Sequence, residues 1–241
     1  MQTMIHKLRD ALATRGLVET IELVKKNLLY ETRWYLDRAF DRRFGTDTSG
    51  IIKLDSLDIK SDNVKYGVYY EPTSTGLFKY IMKMTLTRID DVRDFVFIDF
   101  GSGKGRTILQ ASNYFFKRII GVEFSPILHQ IAQKNISVYK NRIQKCFDIE
   151  SVSMDVCDYQ VPSEDLVCYF YDPFQENVMA KVLENIRKSS TNESRKVVII
   201  YFNPLASKVI ERNGYARQME IRLPYDFTRE HQRKCYIYST S

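Results

Sequence analysis

The stretch FVFIDFGSGKGRTILQAS, residues 95–112, decides the fold of this chain. Its first five residues form an apolar run that is typical of a buried strand. The residues from Arg106 onward follow a helical pattern, and the turn between the two places Gly101, Gly103 and Gly105 within five positions. A strand, a glycine-rich turn and a helix in this order are typical of the ligand-binding unit of open α/β sheets.

The spacing within this turn argues against two common phosphate-binding loops. A P-loop reads GxxxxGK followed by Ser or Thr, whereas Lys104 is followed here by glycine. A dinucleotide loop reads GxGxxG, whereas Arg106 occupies the sixth position here. Asp99, which ends the strand, would in addition repel a pyrophosphate. We therefore expect a ligand with a cationic amino group, and S-adenosylmethionine, with its α-ammonium and sulfonium, has this property.

Strands and helices alternate along the rest of the chain. Apolar runs predict seven strands, at 95–99, 118–123, 147–154, 166–171, 196–202, 216–223 and 233–239. Helical periodicity predicts helices at 106–115, 126–139, 176–188 and 206–212. The alternation predicts an α/β fold with a doubly wound, mostly parallel, Rossmann-like sheet. The last two strands follow each other without a long helix, which predicts a hairpin and an antiparallel edge strand.

The N-terminal part of the chain does not share this alternation. Apolar residues spaced by three and four predict a helix over residues 5–44 that packs on the main domain, and Gly45 is typical of a helix end. Residues 45–67 are rich in Ser, Asp and Gly and predict an irregular connection. We therefore divide the chain into a helical extension with its connection, residues 1–65, and a cofactor-binding domain, residues 66–241.

Composition excludes several classes of protein. The chain has 241 residues, of which 44% are hydrophobic, and this is typical of a globular domain with an extension. Four cysteines without a CxxC pair and three histidines do not suggest a metal site. The sequence has no apolar run of membrane-spanning length and no apolar leader, so we expect a cytoplasmic protein without membrane contact. The net charge of +6 favours an anionic partner only mildly.

The segments VFIDFGSGKGR and IIGVEFSP resemble the first two motifs of class I S-adenosylmethionine-dependent methyltransferases. Within that superfamily they are similar to a set of uncharacterised bacterial methyltransferases. They are also similar, more distantly, to the non-SET lysine methyltransferases of the telomeric-silencing disruptor type. YYEPTSTG, residues 69–76, stands where that second group carries a tyrosine–acid–Thr-Ser stretch, although Pro72 interrupts it and the asparagine-rich fourth motif is absent. The resemblance covers about residues 66–205 and implies S-adenosylmethionine as cofactor.

The resemblance also implies which residues contact the cofactor. They are Tyr70, Glu71, Thr73, Asp99, Gly101, Ser102, Gly103, Gly105, Glu123, Phe124, Asp155, Val156 and Tyr171. Asp99 would hold the amino acid end, Glu123 the ribose hydroxyls, and Asp155 the adenine amino group. From the residues alone, the less favoured alternatives are that Asp99 caps the next helix and that Asp158 takes the place of Asp155, whereas Phe124 could equally be a core residue.

Asp172, Pro173 and Phe174 are the candidate catalytic residues. They follow the fourth predicted strand and resemble, one residue shorter, the (Asp/Asn)-Pro-Pro-aromatic motif of amino-directed methyltransferases. An aspartate at this position can hold an amine N–H and spread the positive charge that develops on the nitrogen, and Phe174 or Tyr171 could face that cation. The alternative is that Asp172 caps the helix that begins near Glu176.

The predicted function is therefore S-adenosylmethionine-dependent methylation of a nitrogen, with a protein lysine as the favoured acceptor. A nucleic acid or a small molecule is the alternative acceptor, and the basic termini speak for nucleic acid. A NAD-linked oxidoreductase and a non-catalytic cofactor-binding module are the rival functions. Among the remaining polar residues, we expect Asn203 to cap a helix, and Lys104 and Arg106 to be solvated or to interact with a helix dipole.

Overall fold

The computed structural model describes residues 2–53, 69–191, 194–223 and 234–240. Six helices lie in these ranges: α1 (Gln2–Phe44), α2 (Thr75–Thr85), α3 (Arg106–Ala111), α4 (Pro126–Val138), α5 (Glu176–Lys188) and α6 (Ser207–Arg212). The seven strands are β1 (Phe95–Phe100), β2 (Arg118–Glu123), β3 (Ile149–Ser153), β4 (Asp165–Tyr171), β5 (Val197–Phe202), β6 (Tyr215–Arg222) and β7 (Lys234–Thr240).

The strands form one seven-stranded sheet in the order β3-β2-β1-β4-β5-β7-β6. The first five strands in this order are mutually parallel, and β7 pairs antiparallel with both β5 and β6. The mostly parallel, seven-stranded α/β sheet that the sequence predicts is thus confirmed. The antiparallel strand is β7, which lies between β5 and the edge strand β6. The direction of the chain across the sheet reverses between β1 and β4, and ligands bind at such a switch point in open α/β sheets.

The core lies on both faces of the sheet. Alternate residues of β1 point to opposite faces, as the two-residue period of a strand requires. Val96 and Ile98 pack in the cluster that contains the apolar face of α5, whereas Phe95 and Phe97 pack in the cluster that contains α2 and α3. The carboxyl ends of β1, β2 and β4 therefore lie between two layers of helices, where they can form the floor of a cleft.

Two helices that flank this cleft begin with a serine cap. Ser74 Oγ accepts a hydrogen bond from the Leu77 N–H at the start of α2, and Ser125 Oγ accepts one from the Leu128 N–H at the start of α4. Pro126 occupies the first turn of α4, where its missing N–H costs nothing. Both caps fix the residues that immediately precede them, and those residues line the cleft.

Helix α1 confirms the predicted N-terminal helix and ends, as predicted, at Gly45. It is interrupted at Gly16, whose φ of 78° is not helical. The predicted apolar stripe does not pack on the main domain, since Val18 is 76% and Leu28 66% exposed. The contact is made instead by the last turns of the helix, where Phe40 joins a cluster with Leu109 and Tyr139. No helix among the described residues is both long and apolar enough to cross a bilayer.

Candidate active site

A cleft of about 630 Å³ opens at the carboxyl ends of β1, β2 and β4. The glycine turn and the residues from Tyr69 to Thr73 form its walls, together with Asp99 and Glu123. The cleft therefore brings together the upstream stretch, the glycine loop and the two acids that the sequence analysis singled out.

Asp99 lies buried at the end of β1. Burial, followed by the negative charge of Glu123, raises the pKa of Asp99 to about 8, although a hydrogen bond with Thr107 acts in the opposite direction. The helix-capping alternative is wrong, because the residue that caps α3 is Gly105 and no side chain makes a capping bond there. A nearby cation would favour the ionised form of this buried carboxyl group, so the site is suited to bind a cationic ligand.

Glu123 lies buried at the end of β2 and connects the glycine loop to that strand. Its Oε2 accepts a hydrogen bond of 2.8 Å from the Gly103 N–H, and its Oε1 accepts one of 2.9 Å from the Ser125 N–H. Burial raises the pKa of Glu123 to about 7, while these backbone donors lower it. Glu123 therefore holds the loop in place in addition to lining the cleft.

The glycine loop requires glycine at the positions where the chain turns. Gly101, Gly103 and Gly105 have φ of 86°, 53° and 85°, a region that L side chains rarely adopt. A Cβ on Gly103 would lie 2.2 Å from the Tyr70 ring, so that ring packs directly on the loop. A loop without side chains, next to two buried acids, fits the methionine end of S-adenosylmethionine.

Ser102 is a predicted cofactor residue, but its side chain packs against β2 and not beside the two buried acids. Its Oγ is buried and would lie 2.6 Å from a Cβ built on Gly121, so the hydroxyl packs against β2. Among the described residues this hydroxyl has no hydrogen-bond partner. We therefore expect Ser102 to contribute its backbone, and not its hydroxyl, to the cleft.

The upstream stretch lines the cleft as the resemblance implies. Glu71 and Thr73 are lining residues, and Thr73 Oγ1 lies 3.0 Å from the Tyr169 hydroxyl. Tyr169 lies beside Asp99 in the register of β4 against β1 and also lines the cleft. Both Tyr169 and Thr107 are missing from the sequence-based prediction, because a tyrosine inside an apolar strand and a threonine inside a helix carry no functional signal.

A second cavity, of about 370 Å³, adjoins the cleft and shares Phe124 and Pro173 with it. Asp155, Val156 and Phe174 line this cavity, whereas Asp158 is not among its lining residues. The cavity is mostly apolar and carries a carboxylate at its rim, which fits an adenine ring with its amino group. The arrangement favours Asp155 over Asp158 and assigns Phe174 to this pocket and to the core, where its ring packs on Phe170.

Asp172 forms a corner at the end of β4. The Tyr201 hydroxyl donates a hydrogen bond of 3.2 Å to its Oδ1, and Asn203 Nδ2 donates one of 3.1 Å to its Oδ2. Asp172 and Asn203 both have positive φ, at 38° and 54°, which is uncommon for residues other than glycine. Burial raises the pKa of Asp172 to about 6, against the effect of the Tyr201 hydrogen bond.

These contacts correct the expectations about helix caps. The residue that caps α5 is Gln175, so the alternative that Asp172 caps this helix is wrong. The residue that caps α6 is Ala206, so the expectation that Asn203 is a helix cap is also wrong. Sequence reasoning missed Tyr201 and misjudged Asn203 because the two residues meet Asp172 only through the pairing of β4 with β5.

The expectation that Lys104 and Arg106 are solvated is wrong as well. Arg106 is only 1% exposed and forms an ion pair of 2.6 Å with Asp37 of α1. Lys104 is buried as well, and its Nζ lies 2.8 Å from Asp47 Oδ1. In the described part of the chain, no group of three or more His, Cys, Asp or Glu side chains is arranged to hold a metal ion.

The comparison with protein families agrees with this geometry. The family model described as histone methylation protein DOT1 matches residues 58–165, which include the glycine loop and both buried acids. The chain is distantly similar to DOT1 over this region, and the match supports a class I S-adenosylmethionine-dependent methyltransferase. No curated protein matches the chain significantly.

A solved structure with a TM-score above 0.5 has a fold similar to that of this chain. The glycopeptide N-methyltransferase MtfA, complexed with S-adenosylmethionine, has a TM-score of 0.52 and 8% identity, over 68% of this chain and 93% of that one. An RNA methyltransferase from Salinibacter ruber with S-adenosyl-L-homocysteine has a TM-score of 0.46 and 17% identity, over 70% of this chain and 92% of that one. A ribosomal protein L11 methylase from Lactobacillus delbrueckii subsp. bulgaricus has a TM-score of 0.46 and 13% identity, over 69% of this chain and 77% of that one.

Proposed function

We propose that this methyltransferase acts on an amine nitrogen and that its acceptor is the side chain of a protein lysine. The observation that carries the proposal is the Asp172 corner, where a carboxylate with two hydrogen-bond donors is held at the carboxyl edge of the sheet. A third cavity, lined by Asp172, Phe174, Glu176 and Leu205, opens beside it and shares Phe174 with the second cavity. An acceptor side chain in this third cavity would lie against Asp172.

The chemistry assigns a role to each member of the corner. S-adenosylmethionine would supply a methyl group on its sulfonium. The lone pair of a neutral amine would attack the methyl carbon, the N–C bond would form as the S–C bond breaks, and S-adenosylhomocysteine would leave. Asp172 is largely ionised at neutral pH and can accept an N–H of the acceptor, which directs the nitrogen lone pair towards the methyl group. The same carboxylate stabilises the ammonium product, and Tyr201 and Asn203 keep its orientation fixed.

The charge of the cleft favours a cationic acceptor. Among the described residues that line the three cavities, six are acidic: Glu71, Asp99, Glu123, Asp155, Asp172 and Glu176. Because burial raises the pKa of Asp99 to about 8 and of Glu123 to about 7, the negative charge offered to an acceptor comes mainly from the other four. The basic lining residue is Arg106, and its charge is matched by Asp37. A lysine approaches such a surface favourably, whereas a phosphate backbone is repelled by it.

A nucleic acid base is the second candidate acceptor. The net charge of +6 favours it, because a basic surface attracts polyanions. The acidic lining of the cleft opposes it at the position where methyl transfer takes place. The net positive charge of the chain therefore favours a nucleic acid, whereas the acidic lining of the cleft favours a lysine.

The test is the transfer of a tritiated methyl group from S-adenosylmethionine to a fractionated lysate. We expect label in protein, and methyl-lysine after acid hydrolysis, with the Asp172→Asn variant as the inactive control. Label that appears only in nucleic acid or in small molecules would overturn the lysine acceptor. Calorimetry of the folded protein would address the cofactor separately, since absence of saturable binding to S-adenosylmethionine and S-adenosylhomocysteine contradicts any methyltransferase function.

The cofactor residues can be examined in the same way. We expect Asp99→Ala or Glu123→Ala to weaken cofactor binding by about 1.5–3 kcal/mol, because each change removes charge-assisted hydrogen bonds in a buried site. An unchanged dissociation constant would reject the assignment of that residue. Binding of NADH, measured by its fluorescence, would instead favour the oxidoreductase alternative.

A further inference from the structure

We propose that the end of α1 and the turn after it position the glycine loop and thereby set the affinity for the cofactor. We call Asp37, Asp41 and residues 46–49 the N-terminal clamp. The clamp lies outside residues 58–165, the region that matches the family model. The inference rests on the assignment of the cleft as the cofactor site, and it adds positioning residues from a part of the chain that the sequence analysis treated as a separate extension.

Arg106 connects the clamp to the first residue after the glycine loop. Its Nη1 lies 2.6 Å from Asp37 Oδ1, its Nη2 donates to the Asp37 carbonyl at 2.9 Å, and its Nε donates to Thr48 Oγ1 at 2.7 Å. The guanidinium also lies over the Phe40 ring, 4.7 Å from its centroid. The side chain that follows the loop is thus fixed on several sides by α1 and its turn.

Asp41 folds the turn that makes these contacts. Its Oδ1 accepts hydrogen bonds from the Thr48 N–H at 2.9 Å and the Thr48 hydroxyl at 2.6 Å, and its Oδ2 accepts one from the Ser49 N–H at 2.7 Å. Burial would raise the pKa of Asp41, but the hydroxyl and backbone donors and the charge of Arg106 lower it below its ordinary value. Asp41 is therefore ionised at neutral pH, and the turn is built around its charge.

The turn also contacts the middle of the glycine loop. Lys104 Nζ lies 2.8 Å from Asp47 Oδ1 and donates to the Ser49 carbonyl at 3.1 Å. Asn135 of α4 bridges the two segments, since its Nδ2 donates to the carbonyls of Asp47 and Lys104, both at 2.9 Å. The loop is consequently held in place by the turn and by α4.

Tyr70 links the clamp to the cleft itself. Its hydroxyl donates to the Thr48 carbonyl at 2.6 Å, while its ring covers Gly103 and lines the cleft. A displacement of Thr48 would therefore move both the loop and the ring that packs on it. A buried ion pair stabilises a fold little more than apolar residues of the same volume would. The contacts of the clamp are therefore better explained by a role in fixing the geometry of the glycine loop than by a role in stability.

The decisive comparison uses two hydroxyls that each bind a buried arginine. Thr48→Val keeps the shape of the side chain and removes the acceptor for Arg106 and the donor to Asp41. The matched control is Ser189→Ala, which removes the acceptor for the buried Arg195 and the donor to the Ile186 carbonyl, away from the cleft. Calorimetric titration with S-adenosylhomocysteine and thermal unfolding are measured for both variants and for Thr48→Ser.

We expect Thr48→Val to weaken S-adenosylhomocysteine binding about tenfold, and to raise the KM for S-adenosylmethionine more than it lowers kcat, because the hydrogen bonds of the hydroxyl with Arg106 and Asp41 are both lost. Thr48→Ser should restore binding, and Ser189→Ala should leave the dissociation constant unchanged. The proposal is overturned if Thr48→Val binds as the wild type does, or if Ser189→Ala weakens binding equally at a similar loss of stability.

A second variant decides the question if Thr48→Val does not fold. Asp47→Ala removes the ion pair with Lys104 from a side chain that is 66% exposed, so the fold should tolerate it. We expect binding to weaken about threefold with little change in Tm, and unchanged binding would reject the clamp. A wild-type protein that binds neither cofactor nor product would instead refute the assignment of the cofactor site.

Discussion

Asp172 combines a strained backbone, a raised pKa and two side-chain donors in one residue. Strain and perturbed ionisation together are typical of residues that act on a ligand. The Asp172→Asn variant removes the charge and one of the two acceptor oxygens, while asparagine has the same shape and tolerates positive φ better than other substitutes. We expect kcat for methyl transfer to fall about 100-fold or more, since the amine loses the carboxylate that orients it.

Two further measurements make this expectation specific. Calorimetry should give the same dissociation constant for S-adenosylhomocysteine in the variant and the wild type. Asp158→Asn is the control, because Asp158 is an exposed acid at the same edge of the sheet and does not line the cavities. Equal activity of Asp172→Asn and wild type would mean that the corner serves the fold alone.

Asp99 should make cofactor binding depend on pH. Burial, and then the charge of Glu123, raises the pKa of Asp99 to about 8 in the absence of a cation. A ligand with an α-ammonium binds the ionised carboxylate, so the affinity for S-adenosylmethionine should rise between pH 6 and pH 8.5. The Asp99→Asn variant should bind more weakly and lose most of this pH dependence in a calorimetric titration series. A wild-type affinity that falls over this range would contradict the assignment.

At the scale of elements, the packing of the glycine loop can be tested with two glycines of similar backbone conformation. Gly103→Ala places a Cβ 2.2 Å from the Tyr70 ring, whereas Gly45→Ala places one in open space. Both changes cost about 1 kcal/mol for a side chain at positive φ, but only the first displaces Tyr70. We expect a strong loss of S-adenosylhomocysteine binding for Gly103→Ala alone, measured by calorimetry.

A double variant identifies the cause of that loss. Replacing Tyr70 by leucine in the Gly103→Ala background relieves the contact with the ring and should restore part of the binding. If the double variant binds no better than Gly103→Ala, the backbone strain at residue 103, and not the ring, accounts for the defect. If Gly45→Ala is equally impaired, the contact with Tyr70 is not the reason.

Strands β1, β2, β4 and β5 could be predicted from the sequence because each is a buried apolar run, whereas β3 and β6 are largely half-buried or exposed. The run in β1 ends at Asp99 and the run in β2 ends at Glu123, so the acids at the sheet edge could be predicted as well. Helix α2 is absent from the prediction, although Phe78, Ile81 and Met82 follow helical spacing and are buried. Gly76 and the flanking threonines have low helix propensity, and they obscure this short apolar pattern in the sequence.

The contacts of Arg106 show what a single sequence does not contain. Its ion pair joins positions 69 residues apart, and an arginine after a glycine loop is ordinarily solvated. The Asp172 corner also depends on residues that are distant in sequence, because Tyr201 and Asn203 reach Asp172 through the pairing of β4 with β5. Motif reasoning identifies residues that bind a ligand, whereas the residues that position them depend on tertiary pairing.

At the scale of the whole molecule, the acidic cleft should be visible in the pH dependence of stability. Burial raises the pKa of Asp99 to about 8, of Glu123 to about 7 and of Asp172 to about 6. The folded protein therefore binds more protons than the unfolded chain between about pH 4 and pH 8, and its free energy of unfolding falls as the pH rises through this window. The lowered pKa of Asp41 acts below this window, and the lowered pKa of His129, which is caused by burial, acts against the trend.

We expect the free energy of unfolding of the protein without cofactor to fall by about 2 kcal/mol or more between pH 5 and pH 8.5. Urea unfolding followed by circular dichroism measures this quantity. Saturating S-adenosylmethionine should remove most of the decrease, because its ammonium pairs with the ionised acids and ligand binding stabilises the folded state. Asp99→Asn should flatten the profile without any ligand. A free energy of unfolding that rises from pH 5 to pH 8.5 would show that the two buried acids are already paired with a cation in the protein itself, and the cleft would then have no need of a cationic ligand.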